Sequence, residues 1–288
     1  MDWSVFGYLG LEGLVVGSIY ALTALGLALV YGLLRVLHVA HAGVYAVGAY
    51  CGWLAFNLSH SLPLALLAGA AGAAVLGVFL DVWFYRPLAD KPPLIPLIGS
   101  IGLFLAAGDL LRIVFGPYQH SLPAMNETTV TTLGGVGITS TQIFVLAGTA
   151  ILLLGVYWVS ARTRLGLAWR AIAQDRETAA AMGIDIPRHT ALAFALASIL
   201  AGFAGVMVGV YYNQIAPTMG NEPAYKTLAI VVLGGLGNVW GTVAAGLILG
   251  VVESVSGAFA GNYFPPQAVA FLALILVLLF RPQGLFGR

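Results

Sequence analysis

The chain has 288 residues, 60% of them hydrophobic and 8% charged, with a mean hydropathy of +0.96 and a formal net charge of +1. Soluble domains carry about 25% charged residues, so this composition excludes a water-soluble globular core, and it lacks the clustered basic surplus that a nucleic-acid partner requires. The single cysteine, Cys51, lies in an apolar run, which excludes an intrachain disulfide and predicts a small buried hydrophobe.

A helix needs about 20 apolar residues to cross a bilayer. Such runs are predicted at 9–33, 40–58, 62–85, 94–115, 141–160, 190–212, 241–258 and 265–281, with a shorter, glycine-interrupted segment at 226–239. They are continuously apolar, not alternating, which favours helices over a β-barrel. The expectation is an all-α polytopic membrane protein, one domain over 1–288, with about eight or nine transmembrane helices including broken or re-entrant segments. The opening MDWSVFGYLGLEG has no basic region of a secretory signal, so the first run is expected to remain as a membrane helix.

In chain order, the first run carries Gly17, Gly26 and Gly32, small residues that let membrane helices approach closely; Gly202, Gly205 and Gly209 repeat the pattern later. His38 and His41 stand three apart, but with no HExxH arrangement and no cysteine cluster they are read as a polar cap on the second helix and not as metal ligands. Asp81 lies near Arg86, which would neutralise it. The run Leu97-Ile98-Gly99-Ser100-Ile101-Gly102 places helix breakers at membrane depth, as does Gly234-Gly235-Leu236-Gly237-Asn238. Irregular backbone at that depth is tolerated where it is buried in protein or lines a watery cavity, so both runs are candidates for a substrate path. Asp109 and Arg112, three apart on one helix, are expected to form an intramembrane pair. Glu253, in VVESVSG, is the loneliest carboxylate: it could hold a proton or a polar substrate group on the path, or hydrogen-bond Ser254, Ser256 or a neighbouring helix, and with Asp109 it would carry ion coupling in a stand-alone transporter.

Residues 162–189 form the one long polar island, with Arg162, Arg164, Arg170, Arg176 and Arg188. Lys and Arg are retained on the cytoplasmic side, so the island faces the cytosol. Arg35, then Arg86 and Lys91, and finally Arg281 and Arg288 fall on the same side if the N-terminus, with Asp2 and Glu12, and the 116–140 loop, with Glu127, lie outside. That parity counts 226–239 as a short crossing. Arg170, Gln174 and Glu177 share one helical face while Trp169, Ile172 and Ala179 lie towards another, which predicts an amphipathic helix over about 166–183, ended by Gly183 ahead of Pro187. Such a helix docks in a partner's groove or anchors the loop at the interface. No GxSxG context and no GKS or GKT loop occurs, so the chain itself is not expected to be an enzyme or to hydrolyse ATP.

Glu177-Thr178-Ala179-Ala180-Ala181-Met182-Gly183 resembles the EAAxxxG loop of ABC-importer permeases, with Thr178 departing at the second position. RAIAQDRETAAAMGID at 170–185, YYNQIAPTMG at 211–220, VVLGGLGNVWGTVAAGLILGVVE at 231–253 and LLFRPQGLFG at 278–287 look like branched-chain amino acid permeases, as do GSIYALTALGLALVYG at 17–32 and HVAHAGVYAVGAY at 38–50. The likeness is closer to the shorter, H-type permease than to its M-type partner. Ala42 separates His41 from Gly43, where the family commonly reads FAHG.

The resemblance implies half of the translocation path of an ATP-driven importer for branched-chain or other hydrophobic amino acids, in a bacterial inner membrane. A second, M-type permease, two cytoplasmic ATPases and a periplasmic binding protein would complete it, and ATP and Mg would be bound by the partners, with no cofactor in this chain. It also implies ATPase coupling through Arg170, Gln174, Asp175, Glu177, Ala179, Ala180 and Gly183. His41, Gly99, Ser100, Gly102, Gly234, Gly235, Gly237, Asn238 and Glu253 are candidates for the path. The binding protein would dock on the 116–140 and 213–225 loops, at Asn126, Glu127, Asn213, Gln214 and Glu222. Urea or short-amide transport and stand-alone ion-coupled transport are the alternatives.

Overall fold

The computed structural model describes residues 3–122, 125, 128–133, 136–260 and 265–287. Within them the helices are α1 Trp3–Leu34, α2 His41–Ser59, α3 Leu62–Leu80, α4 Leu94–Phe115, α5 Ser140–Arg162, α6 Arg164–Gln174, α7 Arg176–Ala181, α8 Ile186–Tyr211, α9 Asn221–Gly234, α10 Val239–Ala260 and α11 Pro266–Phe280. Four short strands accompany them: β1 His120–Ser121, β2 Thr129–Leu133, β3 Val136–Thr139 and β4 Gln214–Ile215. Six helices are long and apolar enough to cross a membrane. The protein is thus an all-α polytopic membrane protein, in which every long element satisfies its own backbone groups as hydrocarbon surroundings demand.

Two polar ends define the axis. At one, β1 pairs antiparallel with β4 and β2 with β3. At the other, α6 and α7 join the end of α5 to the start of α8. Because α5 and α8 each run from one end to the other, the sequence of helices places Trp3 with the strands and Phe280 with α6 and α7. Eight helices run between the two ends among the described residues, counting the 15-residue α11, and the 14-residue α9 spans only part of the way.

The long helix α1 is the axle, with Val15, Leu22 and Leu25 at most 1% exposed. It lies so close to α10 that a Cβ on Gly250 would stand 2.3 Å from the Gly17 Cα. A second close approach joins three helices. A Cβ on Gly202 of α8 would stand 2.5 Å from the Gly69 oxygen of α3, and one on Gly48 of α2 would stand 2.6 Å from the Gly202 Cα. Lipid supplies no hydrophobic drive for helices to associate, so such backbone contact, dense in dispersion, is what holds them. Gly32, read above with this group, meets nothing within 4 Å and plays no such part.

Three expectations about continuity change. First, α4 runs unbroken through Gly99, Ser100 and Gly102. Single glycines weaken a helix by only about 1 kcal/mol, far less than unpaired backbone groups in an apolar medium would. Second, the island is not one helix over 166–183: the chain opens at Asp175 (φ −152°, ψ 111°) and restarts as α7, so Glu177 does not continue the face of Arg170 and Gln174. Third, the 213–225 segment is not wholly an end loop. After β4 the chain folds inward, where Gly220 meets the Ala42 carbonyl in the first turn of α2, and α9 starts from there. Turn hydrogen bonds from Met219 to Ala216 (3.0 Å) and from Asn221 to Thr218 (2.9 Å) satisfy this irregular backbone. The break expected at 234–238 is present, with Gly235 and Gly237 at φ 96° and 84°.

Candidate functional site

The α6–α7 hairpin is built to be rigid. Thr163 caps α6, accepting from the Gly166 amide at 3.3 Å, and Gly166 fits only without a side chain, since its Cβ would lie 2.1 Å from the Ser160 carbonyl. Asp175 caps α7: its Oδ1 accepts from the amides of Glu177 (3.0 Å) and Thr178 (3.1 Å), and its Oδ2 from the Thr178 hydroxyl (2.6 Å). These bonds favour the ionised form and hold the Asp175 carboxyl below its usual range, with the Thr178 hydroxyl the largest cause. Thr178, the departure from the EAA pattern, is therefore part of the cap. At the far end the Ile184 amide bonds the Ala179 carbonyl (3.1 Å) and the Gly183 amide the Ala180 carbonyl (3.0 Å), a Schellman closure that requires left-handed backbone at Gly183, φ 85°.

One face of the hairpin is fixed to the body. Trp169, Ile172 and Ala179 are at most 5% exposed and cluster with Leu33, Ile186 and Ala193. The Trp169 indole donates to the His189 carbonyl at 3.0 Å, Arg35 donates to the Ala173 carbonyl at 3.3 Å, and Arg170 donates to the Ser160 carbonyl. Arg170, Gln174, Asp175, Glu177, Ala180 and Gly183 stay exposed, whereas Ala179 lies in the chain's own core and presents nothing outward. An apolar depression on the outer side, lined by Leu167, Ala171, Thr178 and Met182, separates the two helices.

A polar cluster lies deep among α1, α9 and α10. The ammonium of Lys226, whose side chain is 2% exposed, pairs with Glu253 (2.8 Å) and with Glu222, donates to the Tyr20 hydroxyl and sits 4.6 Å from the centre of the Tyr20 ring. Tyr20 in turn donates to Glu253 at 3.0 Å. Glu253 is therefore not a lone carboxylate. Sequence reasoning passed over its partner, although Lys226 in an apolar segment with Glu222 one turn earlier was a legible signal.

Above the cluster a cavity of about 210 Å³ opens between α1, α2, the end of α8 and the inward fold. Tyr20, Tyr45, Tyr212, Thr23, Gln214 and Glu222 supply its polar lining. A much smaller void of about 10 Å³ shares Thr23, Tyr45 and Pro223 with it and reaches His38 and His41. Of the predicted path residues, then, His41 borders the lower void and Glu253 anchors the cluster. Both histidines stand at the start of α2 and are buried in the protein instead of capping it at the surface: His41 bonds the Thr23 carbonyl at 3.2 Å, and His38 bonds the Tyr85 hydroxyl at 2.6 Å.

The other predicted path residues lie elsewhere. Gly99 meets the Phe84 ring, Gly102 faces open space, and Ser100 donates to the Leu97 carbonyl (2.7 Å) while accepting from the Val39 amide (3.2 Å). Gly234 packs on the Thr242 backbone, and Gly235 abuts the 283–287 segment. Asn238 caps the start of α10 through the Gly241 amide (3.0 Å) and donates to the Phe286 carbonyl (2.8 Å). Gly237 borders an apolar groove of about 270 Å³ shared with Trp169 and Trp240, so this break belongs to the hairpin end. Asp109 and Arg112 pair at 3.1 Å on the outer face of α4, and Asp81 pairs with Arg86 at 2.9 Å. Asn213 and Gln214 are exposed at the strand end, and Gln214 and Glu222 both line the cavity. Asp2, Asn126, Glu127 and Arg288 lie outside the described residues. No group of three potential metal ligands occurs among the described residues.

Comparison with known proteins matches residues 10–280 to the model of a family described as branched-chain amino acid transport system / permease component. The chain is 34% identical to the high-affinity branched-chain amino acid transport system permease protein BraD of Pseudomonas aeruginosa, across 96% of this chain and 94% of that protein. It is 32% identical to LivH of Escherichia coli with the same coverage. It is also 29% identical to LivM of Salmonella typhimurium, covering 93% of this chain but 67% of that longer protein. Among solved structures, a metal-chelate type ABC transporter in an inward-facing conformation is 20% identical with a TM-score of 0.51, covering 95% of this chain and 86% of that one, which is a likeness of fold.

Proposed function

Because the chain belongs to the family of branched-chain amino acid transport system permease components, we propose that it is the H-type permease subunit of an ATP-driven importer of branched-chain or other hydrophobic amino acids. The carrying observation is end-to-end likeness to BraD and LivH, where the coverage of 94% contrasts with 67% for LivM. In this reading an M-type permease supplies the other half of the path. Two cytoplasmic ATPases hydrolyse ATP, a periplasmic binding protein delivers the substrate, and this chain sits in the inner membrane with α6 and α7 in the cytosol.

The mechanism follows from how the hairpin is held. Its exposed side, with Arg170, Gln174, Asp175 and Glu177, offers charge and hydrogen bonds to an ATPase groove. Its buried side, through Trp169, is fixed to α8 and the end of α1, so a displacement of the hairpin is carried into those helices as a rigid-body tilt. The tilt of α1 and α8 alters the walls of the cavity at Tyr20 and Tyr212, which is how nucleotide-driven closure would open and shut this half of the path. Glu253 and Asp109 are the carboxylates on which an ion-coupled carrier would depend, and their ion pairs with Lys226 and Arg112 favour the importer reading.

Purification of the tagged chain in mild detergent is expected to recover a second permease and ATPases. Gly183→Arg forces a side chain into left-handed backbone, weakening the closure by about 1–2 kcal/mol, and Glu177→Lys reverses an exposed charge. Both are expected to leave membrane insertion intact and to abolish ATP-dependent uptake. Normal assembly with normal uptake in both variants would overturn the coupling role.

A further inference from the structure

We propose that the cavity over the Lys226 cluster is a recognition site for the ammonium group of a small aliphatic amine or amino acid, with Glu222 as its anionic partner and the Tyr45 hydroxyl as a second acceptor. It rests on the permease reading for its place in transport, and on geometry alone for its chemistry.

Charge comes first. Lys226 carries one positive charge, and Glu222 and Glu253 carry two negative ones, so the cluster holds an excess carboxylate in a region of low dielectric. Glu253 is 6% exposed, with Lys226 and Tyr20 both bonding its Oε2 and no partner for its Oε1 among the described residues, and it is not part of the cavity lining, whereas the Glu222 side chain is 52% exposed and lines the cavity. Both hydrogen bonds recorded for Glu222 among the described residues go to Oε1. The carboxylate therefore has acceptor capacity left on the cavity side.

A second and independent sign is Tyr45. It is 2% exposed, it borders both the cavity and the void beneath it, and its hydroxyl has no hydrogen-bond partner among the described residues. With no protein group bonding it, that hydroxyl keeps its hydrogen-bonding capacity for a molecule in the cavity it borders. The aromatic faces of Tyr20 and Tyr212 add the electron-rich surfaces that cations prefer. Val16, Ile19, Val208, Ala216, Met219 and Pro223 add apolar lining that matches a short branched hydrocarbon, and beside the neutral Gln214 amide the lining offers no cation to hold a carboxylate. The ammonium end is thus the end this chain recognises.

The test uses the assembled permease–ATPase complex in nanodiscs without the binding protein, with ligand binding read by saturation-transfer NMR. Three probes separate the ends of leucine: L-leucine, isoamylamine, which lacks the carboxylate, and 4-methylpentanoate, which lacks the amine. Leucine and isoamylamine are expected to give saturable signals and 4-methylpentanoate none. Glu222→Gln is expected to weaken isoamylamine at least tenfold. Tyr45→Phe, which removes a hydroxyl with no internal partner and so leaves the fold intact, is expected to weaken it about threefold, as loss of one hydrogen bond does. Equal binding of the amine and the acid, or isoamylamine binding unchanged in Tyr45→Phe and Glu222→Gln, overturns the proposal. An assembled complex that hydrolyses ATP but lacks the preference sinks this inference and leaves the permease reading standing. A chain that never joins an ATPase sinks that reading, and isoamylamine binding to the chain alone then decides the cavity.

Discussion

At Lys226 an ammonium that is almost wholly buried meets two carboxylates and a phenol, and each member is tolerable only because of the others. Removing one partner of a buried ion pair leaves an uncompensated charge, worth about 3–5 kcal/mol, whereas replacing both by apolar groups of similar volume is close to neutral. Lys226→Met is therefore expected to lower the melting temperature of the detergent-solubilised chain strongly, and Lys226→Met with Glu253→Leu to restore most of it. Equal destabilisation by the single and double variants would show that the pair does not account for the burial. Asp175 and Thr178 give the opposite lesson: there an exposed carboxylate is held ionised by local donors, so its role is legible from spacing alone.

Helix packing is where glycine matters most. The triple approach of Gly48, Gly69 and Gly202 leaves no volume for a side chain, and Gly202→Leu must push α8 away from α2 and α3. Overpacking of this kind costs about 1–3 kcal/mol, more where backbone blocks the way. The variant is expected to reach the membrane but to lose thermal stability, while Gly102→Leu, which meets nothing within 4 Å, is expected to be silent in the same measurement on the isolated chain. The same comparison explains α4. Its glycines sit in an apolar medium where an open backbone has no water to bond, so the helix continues through them. By contrast the chain breaks at 234–238 and folds inward at 216–220, where turns and neighbouring helices supply the missing hydrogen bonds.

Across the whole molecule, the described helices place α6 and α7 at one end and β1 to β4 at the other. With the basic residues clustered at the helical end, Thr178→Cys is expected to be labelled by a membrane-impermeant maleimide only from the cytosol, and Gln214→Cys only from outside; labelling of both from one side would contradict the topology. The sequence by itself determined the class, the approximate spans, the gathering of basic residues towards one end and an amphipathic segment ended by Gly183, because hydropathy, charge bias and helix termination are properties of neighbouring residues. The tertiary structure decided which glycines are contacts and which are breaks. It also decided that Glu253 has a partner 27 residues away, and that Tyr20, Tyr45 and Glu222 share one cavity. Those facts depend on how α1, α2, α9 and α10 are set side by side, and side-chain volume and buried charge fix that arrangement only when all four helices are present together.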